Sequence, residues 1–248
     1  MLITPKWNKP DNIKAIITTK AVTGYSTGLY QGCNLSYNVG DDPQHVAQNI
    51  NKIEQKINLK SKLLWVKQVH GDKIINCSEI KNTDQPQEAD AIFLDQPNQA
   101  CAILTADCLP VLLCNKQGTQ AACIHAGWRG LAKEVIEKSV AKFSNPQEII
   151  AYLGPAISKK RYQINEQMHQ IFIEKQQENH KCFTVDQNKA IFGDLKEIAK
   201  NILLNSQIPT NQIFIDDYCT YEEQNLFYSY RRDKPITGRQ ASIIWIEK

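Results

Sequence analysis

The sequence predicts one mixed-sheet domain of the α/β (α+β) class, with helices covering the sheet faces. Three observations carry this. Short β-branched runs outnumber helical stretches. The two kinds do not alternate strictly, so the sheet is read as mixed and not purely parallel. No linker rich in Pro, Gly or Ser, no internal repeat and no low-complexity tract divides the chain, so residues 1–248 are read as one domain.

The elements follow in order. In "PQHVAQNINKIEQKINLK", residues 43–60, Val46, Ile50, Ile53 and Ile57 recur at helical spacing. Asp42 suits an N-cap and Pro43 the first helical position. A series of β-branched runs comes next: "LLWVKQV", "KIINC", "AIFLD", "CAILT", "PVLLC" and "QAACIH". Residues 130–143 read as one helix whose apolar face is Leu131, Val135, Ile136, Val140 and Phe143. "EIIAYLG" is a strand, 165–177 and 194–206 are helices, and "QIFID", "LFYSY" and "ASIIWIE" are the closing strands.

Composition narrows the class. Hydrophobic residues at 42% and charged residues at 22% fit a water-soluble globular protein. The net charge is +3, and the basic residues are scattered apart from Lys159-Lys160-Arg161 and Arg231-Arg232. That makes no stripe for nucleic acid, though it suffices for a local anion clamp. The first residues lack the apolar segment of a secretion signal, and no apolar run approaches the roughly 18 residues of a membrane span. A cytoplasmic protein is expected, without a nucleic-acid or membrane partner. The eight cysteines form no CxxC pair, so free thiols are the default, with any special one a ligand or nucleophile.

Five histidines are present. His45, His169 and His180 fall on polar helical faces. His70 and His125 differ: each ends an apolar run and precedes a glycine or an Ala-Gly pair, in "WVKQVHG" and "ACIHAG". Asp107-Cys108 lies in a similar break within "CAILTADCLPVLLC", where Pro110 argues against an ordinary ladder position. Cys108, His70 and His125 together offer a divalent metal three ligands and leave one position open. Copper outranks zinc on such ligands, so either ion suits them. Two other readings fit the same residues. Cys108 can be a nucleophile with His70 or His125 as its base, or the set can be a buried thiol and two hydrogen-bonded imidazoles. Asp107 orients a base in the first of these and caps the turn in the second.

Arg129 follows Gly127-Trp128 at a helix start, where backbone N–H groups and a guanidinium favour a phosphate or carboxylate. Trp128 either stacks on a flat base or packs under the turn. Arg231, Arg232 and Arg239 surround a Pro-Ile-Thr-Gly turn and repeat the anion theme, or pair with Asp233 on the surface.

The blocks "KQVHG", "EADAIF", "CAILTADCLPVLLC", "HAGWRGLA", "YLGPAI", "CTY" and "FYSYRRDKPITGRQASIIWI" resemble the laccase-domain family of purine nucleoside phosphorylases, formerly called polyphenol or multicopper oxidases. The resemblance runs from about Asn34 to Lys248. It implies a mixed β-sheet sandwich of the cytotoxic-necrotizing-factor-like cysteine hydrolase type. It implies a metal site at His70, Cys108 and His125, holding zinc or copper. It implies phosphorolysis of adenosine, inosine and methylthioadenosine, with adenosine deaminase activity beside it. Cys108, His125 and Arg129 are then the expected catalytic residues, and Gln68, Asp107, Trp128 and Arg231 the expected substrate contacts, in a monomer or homodimer. One departure stands after "GPAI", where Ser158-Lys159-Lys160-Arg161 replaces the family's usual Gly, Pro and Cys. A multicopper cluster needs more imidazoles than five histidines supply, and the only methionines, Met1 and Met168, offer no clear axial ligand for blue copper. A metal-free cysteine hydrolase and a non-enzymatic nucleotide or metal binder are the competing functions.

Overall fold

The computed structural model describes residues 1–60, 62–80, 85–234 and 236–248. The chain opens with β1 (Leu2–Ile3) and β2 (Ile13–Thr18), a strand that the sequence reading leaves unassigned. Helix α1 (Pro43–Lys56) forms where expected, with the Asp42 carboxylate accepting from Gln44 N. It buries Val46, Asn49 and Ile53.

The run 63–69 is not one strand. Only β3 (Leu63–Leu64) joins a sheet. Beyond it the Gln68 side chain pairs with both the N–H and the C=O of Leu104, each at 2.7 Å, and takes the place of a ladder rung. Lys67 bridges to Glu88 instead. The segment therefore crosses from one sheet to the other. Next come β4 (Ile74–Asn76), β5 (Ala91–Leu94), β6 (Gln99–Thr105), β7 (Leu109–Asn115) and β8 (Ala121–Ala126). Pro110 is accommodated at the second position of β7, where its carbonyl still accepts from Gly154 N at 2.9 Å.

The single helix expected over 130–143 is two, α2 (Trp128–Ala132) and α3 (Val135–Val140). Glu134, at φ 73°, breaks them with a left-handed residue. The expected apolar face survives the break, with all five residues buried. β9 (Ile149–Leu153), β10 (Gln163–Ile164), α4 (Glu166–Lys175), β11 (Phe183–Val185) and β12 (Ile191–Gly193) follow. Then come α5 (Leu195–Asn205), β13 (Ile213–Ile215), α6 (Tyr230–Asp233) and β14 (Gln240–Ile246). "LFYSY" is not a strand. Phe227 and Tyr228 are buried, and Ser229 caps α6 by accepting from Arg232 N.

Two large mixed sheets result. One has the order β1-β2-β14-β6-β3 and the other β13-β9-β7-β8-β5-β4, with a small β10-β12-β11 sheet beside them. Their residues sort into three cores by the two-residue period of a strand. Ile103, Ile244 and Ile17 of the first sheet meet Leu112, Cys123 and Ile92 of the second. The opposite face of the first sheet, including Ala102 and Ile243, packs on α1 through Ile53. The opposite face of the second, including Val111, Leu113 and Ile124, packs on α3, α4 and α5 through Val135, Phe172 and Ile198. The layers run helix, sheet, sheet, helices, as the two-faced burial of both sheets requires. Among the described residues, no helix is long and apolar enough to cross a membrane.

Candidate active site

His125 reaches the site through the strand pleat. In β8, Ala122, Ile124 and Ala126 face the helix-side core, while Ala121 and Cys123 face the core between the sheets. His125 shares the second side, at the end of the strand. Cys108 arrives on the crossover from β6 in one sheet to β7 in the other. His70 arrives on the crossing segment after β3, in a left-handed turn at φ 57° and not at a strand end as the sequence suggests. One ligand atom from each of His70, Cys108 and His125 lies within 4.8 Å of the others. His70 Nε2 is 3.8 Å from Cys108 Sγ, and the two imidazole rings meet edge-on at 4.6 Å. Among the described residues this is the only such cluster able to share an ion.

Asp90 organises the cluster, and the sequence reading does not single it out. Its carboxylate is fully buried and accepts four hydrogen bonds. Oδ1 takes His70 N at 3.0 Å and His125 Nδ1 at 2.7 Å, while Oδ2 takes Gly71 N at 2.6 Å and Val69 N at 3.2 Å. The bond at Nδ1 leaves His125 Nε2 for the cluster, the arrangement in which a carboxylate fixes a ligating imidazole. Its signal in "EADAIF" is a lone Asp before an apolar strand, which a turn residue would also give.

The charges are coupled. Burial by itself pushes the Cys108 thiol up, but His125 and His70 outweigh it and bring it down to about 6. Burial by itself pulls the His125 imidazolium down, but Cys108 and Asp90 outweigh it and hold it at about 9. Without an ion, each charge of a thiolate–imidazolium pair favours the other. A divalent cation held by the cluster would take the place of that proton.

The cluster lies in a cavity of about 500 Å³, within the usual range of small-molecule sites, about 300–1,000 Å³. Residues from distant parts of the chain line it, including Ser36, Asn38, Gln68, Asp107 and Tyr230. Arg129, Arg231 and Arg239 line it too. Arg129 is exposed and stacks on Trp128 at 4.4 Å, while Trp128 itself packs against the helix-side core and does not line the cavity. Helix α2 is five residues long, so an anion here depends on guanidinium groups more than on a helix dipole. Arg231 Nη1 donates to the carbonyl of Gln163 at 2.9 Å and lies over Tyr162. Arg232 alone of the C-terminal arginines pairs with Asp233, at 2.7 Å. Pro235 lies outside the described residues. The Lys159–Arg161 stretch forms no open anion clamp, because Arg161 pairs with Glu222 at 3.1 Å and Lys159 donates to the carbonyl of Lys181.

Two expected substrate contacts have other partners. The Gln68 Oε1 accepts from Leu104 N and its Nε2 donates to the Leu104 carbonyl. Asp107, at φ 92°, accepts from Thr220 Oγ1 at 2.7 Å, Ser229 Oγ at 3.0 Å and Arg231 N at 2.6 Å. It ties the β6–β7 crossover to the start of α6. Gly127 also has a different role from a simple turn former. Its φ is −68°, open to any residue. A Cβ there would lie 3.0 Å from His70 Cδ2 and 3.2 Å from Cys108 Sγ, so the glycine leaves room for two members of the cluster.

The model of the multi-copper polyphenol oxidoreductase laccase family matches residues 14–247. The chain is 39% identical over 249 residues to the purine nucleoside phosphorylase YfiH of Escherichia coli (strain K12), covering 99% of this chain and 98% of that one. It is 38% identical over 248 residues to a purine nucleoside phosphorylase of Haemophilus influenzae, covering 99% of each. Neisseria meningitidis protein NMB0706 superposes with a TM-score of 0.93 at 36% identity, over 100% of this chain and 99% of that one. The Bacillus licheniformis protein YfiH gives 0.90 at 28% identity, over 96% and 94%. A match that spans both sheets and all three members of the cluster places the chain in the laccase-domain family of purine nucleoside phosphorylases.

Proposed function

We propose that the chain is a metal-dependent purine nucleoside phosphorylase that cleaves adenosine, inosine and methylthioadenosine with phosphate. The observation that carries this reading is the convergence of His70, Cys108 and His125 in a cavity lined by arginines. Two imidazoles and a thiolate suit zinc, and copper competes for the same donors. A bound ion supplies Lewis acidity at an open position. Asp90 aligns His125 and the backbone of His70, and Gly127 leaves room for the His70 and Cys108 side chains. Arg129 holds the phosphate against C1′ of the ribose. A phosphate oxygen forms the new bond to C1′ as the bond from C1′ to the purine nitrogen breaks. The base leaves with that electron pair and takes a proton, and a ribose 1-phosphate remains.

Adenosine deamination is an accompanying activity in this reading. It requires a group that carries protons to and from the base. Asp107 is the only carboxylate lining the cavity among the described residues, and three donors already hold it.

The test is release of hypoxanthine from inosine, with and without phosphate, by wild type and Cys108→Ala, with metal content measured on both. Phosphate-dependent release that is lost together with the metal supports the proposal. One further reading has its own observation. Cys108, His125 and Asp90 lie in the order nucleophile, base and orienting acid, the arrangement of a cysteine hydrolase of the cytotoxic-necrotizing-factor type. Release that survives chelation and needs no phosphate selects that reading instead.

A further inference from the structure

We infer that Arg239, which lines the same cavity as Arg129, is a second phosphate-holding residue, an inference that rests on the phosphorolysis reading above. Its position is set by the fold. Its backbone N donates to Asn34 Oδ1 at 2.9 Å, and its carbonyl accepts from Leu35 N at 3.2 Å. Its Nη1 donates to the carbonyls of Thr237 and Gly238, each at 2.9 Å. These bonds hold one side of the guanidinium fork in place.

The other side is open. Among the described residues, no carboxylate pairs with Arg239, and its Nε and Nη2 have no hydrogen-bonding partner. Arg239 is half-buried with no carboxylate in hydrogen-bonding contact among the described residues, so its free edge suits a charge-assisted contact with an anion. Burial lowers the basicity of Arg239, and the nearby Cys108 and Asp107 act in the opposite direction. Arg239 lines the same cavity as His70, Cys108 and His125. Two N–H groups on one edge of a planar fork match two oxygens of a phosphate. Arg231 is less suited, because the contacts of its Nη1 with the carbonyls of Gln163 and Arg161 are exposed, whereas those of Arg239 are part-buried.

Phosphate chemistry reaches such a cavity from inorganic phosphate or from the 5′-phosphate of a nucleotide. The inference commits to inorganic phosphate. Arg239→Gln and Arg239→Lys are compared with wild type for phosphate KM, inosine KM, inhibition by inosine 5′-monophosphate, metal content and the thermal shift given by phosphate alone. Arg239→Gln should raise the phosphate KM by about 10- to 150-fold, the loss of one charge-assisted contact. The inosine KM should move by less than about threefold and the metal content should hold, as expected when only one substrate's contact is removed. The phosphate-dependent thermal shift should shrink in parallel. Arg239→Lys should recover part of the affinity, since it keeps the charge and loses the fork.

An unchanged phosphate KM in Arg239→Gln overturns the inference. So does loss of inhibition by inosine 5′-monophosphate with the phosphate KM intact, which would assign Arg239 to a nucleotide's own phosphate. If Arg239→Gln fails to fold, Arg239→Lys decides: a phosphate KM equal to wild type overturns the inference, and a raised one supports it. Phosphate-independent base release by wild type removes the phosphorolysis reading itself, a result distinct from all of these.

Discussion

Replacing Asp90 by Asn tests the organisation of the site most directly, because the change keeps the shape and alters only the hydrogen-bond complement. The carboxylate presents two acceptor oxygens to four N–H donors: His70 N, His125 Nδ1, Gly71 N and Val69 N. Asparagine keeps one oxygen. In either amide orientation its NH2 faces two of those four donors, which lose their acceptor. Each orphaned buried donor costs about 1–3 kcal/mol, or about 2–6 kcal/mol for the pair. Removing a buried charge returns part of this, so about 2–4 kcal/mol of destabilisation is expected. The second consequence concerns the metal. If Asp90 fixes the ring of His125, zinc affinity should fall about 10- to 100-fold. Urea unfolding of the metal-free protein measures the first effect, and competition with a chromophoric chelator measures the second. A variant within about 0.5 kcal/mol of wild type, the scatter of an ordinary surface change, with unchanged zinc affinity would refute the reasoning.

Four further outcomes follow from the same geometry. Asp90 also sets an acid limb: burial pushes its carboxyl up, but His125 and the Gly71 and Val69 N–H groups outweigh this and hold it below 3.8. Its stabilisation is thus present above 3.8 and lost as pH falls through the lower folded value, so the gap between wild type and Asp90→Asn should close in acid; a constant gap down to pH 2, on the order of the lowest folded carboxylate values, would contradict this. Gly127→Ala should crowd His70 and Cys108, costing about 1–3 kcal/mol and weakening zinc, and an unaltered zinc titration would refute the crowding argument. Glu134→Gly should leave stability equal or raise it by up to about 1 kcal/mol, because relief of a left-handed residue outweighs loss of the ion pair with Lys175, and a lower urea midpoint would count against it. Copper-loaded protein should oxidise phenols more slowly than the zinc form cleaves inosine, since five histidines cannot build a multicopper cluster, and the reverse ranking in paired assays would restore oxidase chemistry.

Much of the fold was legible because its signals are local. Asp42 and Pro43 mark the start of α1 through backbone chemistry contained within one turn. The alternation in "PVLLC" and "QAACIH" fits strands buried on both faces, and each run sorts its residues between two cores. Errors fell where a distant partner decides the backbone. "LLWVKQV" has strand propensity, yet the Gln68 side chain takes over the pairing with Leu104, 36 residues away. The 130–143 helix broke at Glu134 without a proline or glycine to announce it.

The sequence by itself determined the donor types at His70, Cys108 and His125, because the identity of a ligand is carried by the side chain alone. It also marked their neighbourhoods, through the glycines and the breaks in apolar runs. Only the tertiary structure decided that the three meet, since that depends on two chain crossings between facing sheets. The same holds for Asp90, Gly127 and Arg239. A buried carboxylate, a missing Cβ and an unpaired guanidinium acquire their roles from groups tens to hundreds of residues away, as with Asn34 and Arg239 at a separation of 205. Hydrogen bonds and steric contacts act over a few ångströms in space, and the spacing of residues along the chain does not encode those distances.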